Sequence, residues 1–230
     1  ISARIGSQGS ERVADHHDAT EEYLSNILEV EEEGVKVMRA RLVERLGVSA
    51  AAVSETVGRL ADQGFLELRD DRSVALTVKG RALATSVVRR HRLAERLLTD
   101  VIGLEWEKVH REAGRWEHVI SADVEEKLVA LLGDPATCPH GNPIPGSRHP
   151  VAEVATRPLA ECGPGDVTVV RISEKLELSE AGLALVARAR LLPGNQGTVT
   201  ASGAGGMHVA TAAGEFELPP EVTQHLHVAV

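Results

Sequence analysis

Apolar residues recur at helical spacing early in the chain, and the clearest stripe consists of Tyr23, Leu24, Ile27, Leu28 and Val30. Asp18, followed three residues later by Glu21, resembles a capping box that starts this helix. A second helix is predicted over residues 38–46, and a third begins after Ser49. The Gly- and Ser-rich residues 1–14 show no periodicity and are predicted to form a disordered arm.

A different pattern follows, in which apolar and polar residues alternate on either side of a polar turn. Residues 65–68 and 74–78 are the alternating runs and residues 70–73 are the turn, so a β-hairpin is predicted. Helix, helix, glycine turn, capped helix and hairpin are the elements of a winged helix-turn-helix in their usual order. Residues 15–85 are therefore predicted to form a winged-helix DNA-binding domain.

Helical spacing returns beyond the hairpin. A long amphipathic helix is predicted over residues 81–102 and another over residues 106–120. Ser121 caps a third helix that ends near Gly133. Together these helices predict a helical domain over residues 86–134.

Proline then becomes frequent: seven of the ten prolines lie in residues 135–164, which predicts a linker there. In residues 165–230, short β-type runs alternate with glycine, as in residues 197–200 and 207–209. A small antiparallel barrel or sandwich is typical of such a pattern. The predicted fold class is α+β with several domains, and the chain shows no internal repeat.

The composition favours a cytoplasmic globular protein. Apolar residues make up 43% of the 230 residues and only five are aromatic, so aliphatic side chains must build the core. No apolar run reaches the roughly 18 residues that a membrane-spanning helix needs. Cys138 and Cys162 lie far apart, which fits a reducing compartment and argues against a disulfide framework or a thiolate zinc site. The first residue, Ile1, suggests a trimmed or incomplete start.

The charged residues of the chain argue against one function, nucleic-acid binding, and in favour of another, metal binding. A net charge of −9 counts against a nucleic-acid-binding protein, but excess carboxylates together with ten histidines suit a metal site. His91 and Glu95 are spaced i, i+4 and share one helix face. His110 and His118 are separated by roughly 12 Å along a helix, so they cannot share one ion. The spacing indicates either two sites or one site and a spectator histidine.

Four segments resemble the diphtheria toxin repressor family and its actinobacterial iron-regulator relatives: DATEEYL (residues 18–24), HRLAERLL (91–98), RWEH (115–118) and GNPIPG (141–146). The resemblance runs without gaps from about residue 18 to 146 and is weaker in the C-terminal part. It implies an N-terminal winged helix, a helical dimerisation domain and a C-terminal SH3-like β-barrel. It also implies that divalent metal binding switches the protein into a DNA-binding state.

The resemblance implies an ancillary metal site formed by His91, Glu95, His110, Glu174 and Glu177. The last two residues come from the SH3-like domain, and the family usually has Gln at the position of Glu177. The alternative is that these residues form surface salt bridges with neighbouring arginines.

The resemblance also implies a primary, activating site, in which Glu117 and His118 match the family's ligands. Glu22 stands where iron-sensing members have Met, and Gly114, which offers only its carbonyl, stands where they have Cys. Because the soft sulfur donors are lost, Mn(II) or Fe(II) is favoured, whereas the general affinity order favours Co(II), Ni(II) or Zn(II). The alternative is a degenerate primary site, with Glu22 as a helix-start carboxylate stabilised by the helix dipole.

Positive charge is concentrated around the predicted helix-turn-helix, where Lys36 and Arg45 flank the second helix. By resemblance, the candidates for phosphate contact are Arg39, Arg41, Ser49, Ser54, Arg59 and Arg72. The recognition helix starts with Ala51 and Glu55 where the family usually has Pro and Gln. A Glu accepts from cytosine N4 but repels phosphates, so an altered operator preference or weaker binding is expected. The acidic residues 29–33 are expected to lie away from DNA.

Together with these observations, the resemblance implies a metal-dependent transcriptional repressor that binds a palindromic operator as a homodimer and controls metal homeostasis genes. A divalent metal at Glu22, Glu117 and His118 is expected to tie the first helix to the helical domain and so set the spacing of the two recognition helices. The alternative is a metal-independent winged-helix regulator. An enzyme is not expected, since no HExxH motif or Ser/His/Asp arrangement is evident.

Overall fold

The computed structural model describes residues 8–149, 151, 154–203 and 205–230, with side chains from residue 19 onward. The chain forms two compact units, Ile1–Val88 and Arg89–Val230. No helix among the described residues is long and apolar enough to cross a membrane.

The first unit has the predicted winged helix-turn-helix order. Helix α1 spans Gln8–Glu32, α2 spans Arg39–Leu46 and α3 spans Ala50–Asp62. Strands β1 (Leu66–Leu68) and β2 (Val74–Leu76) form an antiparallel hairpin. The core of this unit is an aliphatic cluster drawn from all of these elements, including Leu24, Ile27, Leu42, Val53, Leu60, Leu66 and Leu76.

Local signals explain the turn between α2 and α3. Gly47 ends α2 with a left-handed backbone at φ 66°, which residues with a side chain rarely adopt. The Ser49 hydroxyl accepts a hydrogen bond from the Ala52 amide at 3.2 Å and caps α3, as predicted. Helix α3 then packs one apolar face into the core through Val53, Val57 and Leu60.

The beginning of α1 differs from the prediction. The helix starts at Gln8 rather than at Asp18, so the predicted disordered arm over residues 1–14 is wrong from Gln8 onward. Residues 1–7 lie outside the described part of the chain. Residues 8–17 carry no apolar stripe that could reveal a helix, but extending a helix that is already nucleated costs little free energy.

The second unit begins with helices. They are α4 (Val78–Leu97, of which the part from Arg89 onward belongs to this unit), α5 (Val109–Trp116) and α6 (Ala122–Leu132). Helix α4 ends in a π-helical turn over Leu98–Ile102, and a 3-10 turn over Trp106–Lys108 precedes α5. The predicted helix over residues 106–120 is therefore shorter and begins as a 3-10 turn.

An antiparallel sheet forms the rest of the second unit. Its strands are β3 (Arg157–Pro158), β4 (Gly165–Ile172), β5 (Gln196–Gly203), β6 (Gly206–Thr211), β7 (Gly214–Leu218) and β8 (Leu226–Ala229). They lie in the order β3-β8-β4-β5-β6-β7. Among the described residues β3 does not pair with β7, so the sheet is open and the predicted barrel is not closed. Strand β3 has only two residues to offer at that edge.

In the part of the chain that the structure describes, three short α-helices accompany the sheet. Helices α7 (Glu174–Glu177) and α8 (Glu180–Arg188) follow β4, and α9 (Pro220–Thr223) precedes β8. Strands and helices share one core, which includes Val167, Val169, Ile172, Leu183, Val186, Leu218 and Leu226.

The Pro-rich segment is not a free linker in its first half. Cys138, His140 and Asn142 are all buried in the second unit. At Gly141, with φ +87°, a Cβ would lie 2.2 Å from the carbonyl oxygen of Val170, so only glycine lets this loop approach β4 so closely. The prediction of a linker is therefore wrong for this part of residues 135–164.

Candidate metal centre

Six histidine and glutamate side chains of the second unit meet in one pocket, called the His/Glu pocket below. They are His91 and Glu95 from α4, His110 from α5, His140 from the Pro-rich loop, and Glu174 and Glu177 from α7. All are buried except His110, which is half-buried. The pocket therefore joins the helical part of the unit to the sheet part.

Backbone and side-chain contacts fix the loop that carries His140. The Ile172 amide donates a hydrogen bond to the His140 carbonyl at 2.9 Å. Asn142 Nδ2 donates to the Ile172 carbonyl at 2.8 Å and to Glu177 Oε1 at 2.7 Å. The loop is thus tied both to the end of β4 and to a carboxylate of the pocket.

His110 stands at the centre of the pocket. Its Nδ1 lies 3.0 Å from His91 Nε2 and 3.3 Å from Glu95 Oε1. The same atom is 3.0 Å from Glu177 Oε2 and 3.6 Å from Glu174 Oε2. His91 Nε2 and Glu95 Oε1, one helical turn apart on α4, are separated by 3.3 Å.

His140 closes the other side of the pocket. Its Nδ1 lies 3.0 Å from Glu177 Oε2 and 3.2 Å from Glu95 Oε1. Since the same two oxygen atoms also face His110, the two imidazoles and two carboxylates surround one common point.

The distances between these nitrogen and oxygen atoms match those between neighbouring ligand atoms of one coordinated metal ion. In an octahedral complex with bonds of about 2.1 Å, neighbouring donor atoms are about 3 Å apart. Neighbours at 3.0–3.3 Å are found among His91 Nε2, His110 Nδ1, His140 Nδ1, Glu95 Oε1 and Glu177 Oε2. Glu95 Oε2 is also buried without a hydrogen-bond partner among the described residues, which is costly unless a cation binds. The residues of the pocket therefore fit a divalent ion.

Arg92 carries the permanent positive charge beside the pocket. Its Nη2 lies 3.0 Å from Glu174 Oε1, and its Nη1 donates to the Pro143 carbonyl at 2.6 Å. The side chain is only 1% exposed. Three pocket carboxylates and one guanidinium leave a charge of −2, which one divalent cation would balance.

Without a metal, protons on the histidines balance the carboxylates. Burial opposes the charged form of His110, but hydrogen bonds to Glu177 and Glu95 raise its pKa to about 10. Burial likewise opposes charge on His91 and His140, but the neighbouring carboxylates raise the pKa of each well above its usual value. Burial raises the pKa of Glu95, yet the charges of His140 and His91 hold it well below its usual range. A bound cation would replace these protons.

The five residues predicted for the ancillary site, His91, Glu95, His110, Glu174 and Glu177, all lie in this pocket. The alternative of surface salt bridges disagrees with their burial, since Glu95 is 0% exposed and the other carboxylates no more than 5%.

Two residues of the pocket region were not singled out by the sequence pattern, His140 and Cys138. One ligand atom each from Glu95, Cys138 and His140 lie within 4.8 Å of one another. Burial raises the pKa of the Cys138 thiol to about 12. The sequence Cys138-Pro139-His140 places two potential metal ligands two residues apart and could have indicated them. However, it lies in a Pro-rich segment whose composition is typical of a linker.

Trp106 covers the His140 side of the pocket. Its ring stacks at a tilt on the His140 ring, with 4.5 Å between centroids. Its Nε1 donates to the Pro139 carbonyl at 3.1 Å, and the side chain packs against the core of the sheet. Trp106 is therefore in direct contact with a candidate ligand.

A second, smaller group lies at the end of α5. His118 Nε2 is 3.3 Å from Glu117 Oε1, and Glu117 Oε2 hydrogen-bonds to Nδ1 of His91. Gly114 lies on the same helix, and a Cβ added there would meet nothing within 4 Å, so packing does not require glycine. Glu117 and His118, which are consecutive in the chain, therefore have their side chains in contact.

Glu22 lies in the first unit, where its side chain is exposed on α1. Because α1 begins at Gln8, Glu22 is well inside the helix rather than in its first turn. The interpretation of Glu22 as a helix-start carboxylate is therefore wrong.

The predicted DNA-contacting residues lie on the surface of the first unit. Those exposed are Arg41, Ser49, Ala51, Ser54, Glu55 and Arg72, while Arg39 and Arg59 are half-buried. On α3 the exposed positions lie opposite the buried Val53 and Val57. Arg72 has a left-handed backbone, φ 66°, in the hairpin turn.

Arg45 forms ion pairs with acidic residues of the first unit. Its side chain is 6% exposed and lies 2.8 Å from Glu29 and 3.3 Å from Glu33. It is therefore a structural ion-pair residue rather than a free charge for DNA. Arg81 similarly pairs with Glu31 at 2.6 Å, so the acidic end of α1 is partly neutralised.

Two family models match consecutive parts of the chain. "Iron dependent repressor, N-terminal DNA binding domain" matches residues 15–74. "Iron dependent repressor, metal binding and dimerisation domain" matches residues 77–146. The chain belongs to the iron-dependent repressor family. This is a family of metal-dependent transcriptional repressors and not of enzymes.

Individual relatives agree with this assignment. The iron-dependent repressor IdeR of Mycobacterium bovis is 54% identical over 157 residues, which cover 68% of this chain and 66% of that protein. The IdeR of Mycobacterium leprae is 43% identical over 222 residues, which cover 92% of this chain and 96% of that protein. A solved manganese-dependent transcriptional repressor in complex with manganese superposes with a TM-score of 0.80 at 34% identity, covering 91% of this chain and 99% of that one.

Proposed function

We propose that this repressor is activated by a divalent transition metal, Mn(II) or Fe(II) with Co(II) as the third candidate, and that each chain holds two ions. The observation that carries the proposal is the His/Glu pocket, where imidazoles and carboxylates surround one point with neighbouring donor atoms 3.0–3.2 Å apart. The manganese complex of a similar solved repressor and the bound Zn²⁺ of another support a divalent ion.

In this proposal the first ion is held by His91, Glu95, His110, His140, Glu174 and Glu177. It supplies two positive charges to a pocket whose carboxylates outnumber its guanidinium, and it links α4, α5 and α7. Imidazole and carboxylate donors together suit Mn(II), Fe(II) or Co(II). The chain's own residues prepare the site, because Arg92 balances Glu174 and Asn142 orients Glu177.

The second, activating ion is held by Glu22, the Gly114 carbonyl, Glu117 and His118. The 3.3 Å contact of Glu117 with His118 supports this set of ligands. Glu22 is included only because of its position in the sequence. With one imidazole and otherwise oxygen donors, this site is harder than one containing Met and Cys.

The DNA-reading residues are proposed from their exposure and the family resemblance. Phosphate contacts are assigned to Arg39, Arg41, Ser49, Ser54, Arg59 and Arg72. Ala51 and Glu55, exposed on α3, are assigned to the base edges. Glu55 then favours cytosine through its N4 amino group and weakens contact with nearby phosphates.

The repressor acts as a homodimer in the cytoplasm, on a palindromic operator that controls metal homeostasis genes. Helices within residues 86–132 form the dimer contact, a choice supported by the exposed apolar side chains of Val101, Ile102, Val119, Val124 and Leu131. Metal binding favours the arrangement in which the two recognition helices match half-sites one or a few DNA turns apart.

Metal-controlled DNA binding tests this function. Palindromic sites are selected from a random library with Mn(II)-loaded protein, and their dissociation constants are then measured with Mn(II), Fe(II), Co(II) or a chelator. We expect the chelator to weaken binding about 10- to 100-fold, a usual range for coupling between two sites. Binding that stays equally tight after chelation would contradict the metal switch.

A further inference from the structure

Glu117 connects the two proposed metal sites. Its Oε1 lies 3.3 Å from His118 Nε2, on the side of the activating site. Its Oε2 hydrogen-bonds to His91 Nδ1. The other nitrogen of that ring, His91 Nε2, lies 3.0 Å from His110 Nδ1 and 3.3 Å from Glu95 Oε1, inside the His/Glu pocket. One carboxylate and one imidazole therefore form a continuous polar link.

This link is shielded from water. His91 is 7% exposed and Glu117 is 8% exposed. A charged hydrogen bond in such surroundings has little competition from solvent, so it holds both groups in a defined orientation.

We propose that Glu117 serves both sites, as a ligand of the activating ion and as the positioning residue that orients His91 toward the pocket ion. The inference rests on the proposed function above. It predicts that a change at Glu117 weakens the pocket, although Glu117 is not one of its ligands.

The chemistry of metal-bound histidine supports this role. When His91 Nε2 binds an ion, the single remaining ring proton sits on Nδ1, where Glu117 Oε2 accepts it. Such a carboxylate partner fixes the ring orientation and makes the imidazole a stronger donor, and its loss typically lowers metal affinity about 10- to 100-fold. The other oxygen, Oε1, stays available for the activating ion.

Trp106 allows pocket occupancy to be measured by itself. It is one of two tryptophans, and it stacks on His140. In a full-length chain carrying Trp116→Phe, quenching by Mn(II) or Co(II) therefore reports the pocket ion. Total bound Mn(II), counted by electron paramagnetic resonance, gives the sum of both sites.

The decisive comparison is between Glu117→Gln and His118→Gln in this background. Glu117→Gln keeps the size of the side chain but removes its charge, and we expect pocket affinity to fall about 10- to 100-fold. His118→Gln removes a donor of the activating ion and leaves the Glu117–His91 bond in place. It should lower the number of tightly bound ions while pocket affinity stays within about threefold of the parent, since the carboxylate that orients His91 is intact.

The outcomes separate this inference from the proposed function. Equal pocket affinities in Glu117→Gln and His118→Gln would overturn the positioning role, while a parent chain with two ions would still support the function. A parent chain that takes up no pocket ion would overturn the function itself. Circular dichroism of the metal-free variants checks the fold. If Glu117→Gln does not fold, Glu117→Asp, which keeps the charge but withdraws it from His91, must also weaken the pocket.

Discussion

The two candidate metal sites differ in how much of each lies within one unit. The His/Glu pocket has six side-chain donors in the second unit, and five of their atoms have neighbours at 3.0–3.3 Å. In the proposed activating site, the second unit contributes the side chains of Glu117 and His118, which lie 3.3 Å apart. The other carboxylate proposed for that site, Glu22, belongs to the first unit.

This difference separates a structural role from a sensing role. A site whose donors belong to one folded unit stabilises that unit whenever the metal is present. A site that draws donors from two units depends on their arrangement, so its ligand can shift the population of arrangements. We therefore assign stability mainly to the pocket ion and switching mainly to the activating ion.

The largest expected effect is loss of the pocket ion in His110→Ala. His110 faces four other pocket residues, and loss of a direct ligand should cost more than the roughly 100-fold that marks the loss of an outer partner. Metal analysis should find about one ion fewer per chain, and hydrogen exchange of β4 and α7 should become faster. The control is His208→Ala, an exposed histidine on β6. Unchanged metal content in His110→Ala would mean that the pocket is wrongly assigned.

A large loss of stability is expected from Arg92→Met in the metal-free protein. The change leaves Glu174 buried without its guanidinium partner, which typically costs about 3–5 kcal/mol. Mn(II) should recover part of this loss because the ion supplies the missing positive charge. Urea unfolding with and without Mn(II) measures both effects.

Arg111→Met is the matched control for that experiment. Arg111 pairs with Glu180, but the two side chains are 59% and 63% exposed. An exposed pair contributes less than about 1 kcal/mol, and Mn(II) should not change that value. Equal losses in the two variants would show that the buried charge balance has been overestimated.

The pocket should also respond to pH, with opposite signs for the metal-free and metal-bound protein. The raised histidine pKa values stabilise the metal-free fold below the unfolded-state value of about 6.5. That contribution is lost as pH rises through the folded-state value, about 10 for His110. Metal binding needs deprotonated imidazoles, so Mn(II) affinity should rise at least about tenfold between pH 6.5 and 8. Calorimetric titrations that show no pH dependence would contradict this balance.

A smaller effect is expected from Glu22→Gln. The change removes one charged donor from the activating site and should weaken metal-activated operator binding about tenfold. The pocket ion, measured through Trp106 quenching, should bind as before. If operator binding keeps its full metal dependence, Glu22 is not a ligand, and the switch must be sought in the pocket.

The parts of the fold that the sequence predicted well are those with local causes. Gly47 and Ser49 mark the turn and cap of the helix-turn-helix through their own backbone and hydroxyl preferences. The extension of α1 back to Gln8 and the open sheet were not predictable in this way. The extension of α1 depends on the helix that follows residues 8–17, and the open sheet depends on which strand edges pair. Neither leaves a periodic pattern in the sequence.

The metal pocket shows the same limit. His91 and Glu95 could be paired from their spacing on one helix, because an i, i+4 pair meets on one face. His140 was missed because its contact with Glu95 joins residues 45 positions apart. In addition, the Pro-rich composition of this segment is typical of a linker. The contact of His140 with Glu95 also depends on Gly141, which allows the loop to approach β4 closely. Resemblance to a family supplied Glu174 and Glu177, which the sequence pattern alone could not connect to α4.

Anomalous diffraction at the manganese absorption edge, from crystals of the Mn(II)-loaded protein, tests the central claim most directly. We predict a strong peak within about 2.3 Å of imidazole nitrogens of His91, His110 and His140, with carboxylate oxygens of Glu95, Glu174 and Glu177 completing the shell. No peak in this pocket, or a peak only beside Glu117 and His118, would contradict it.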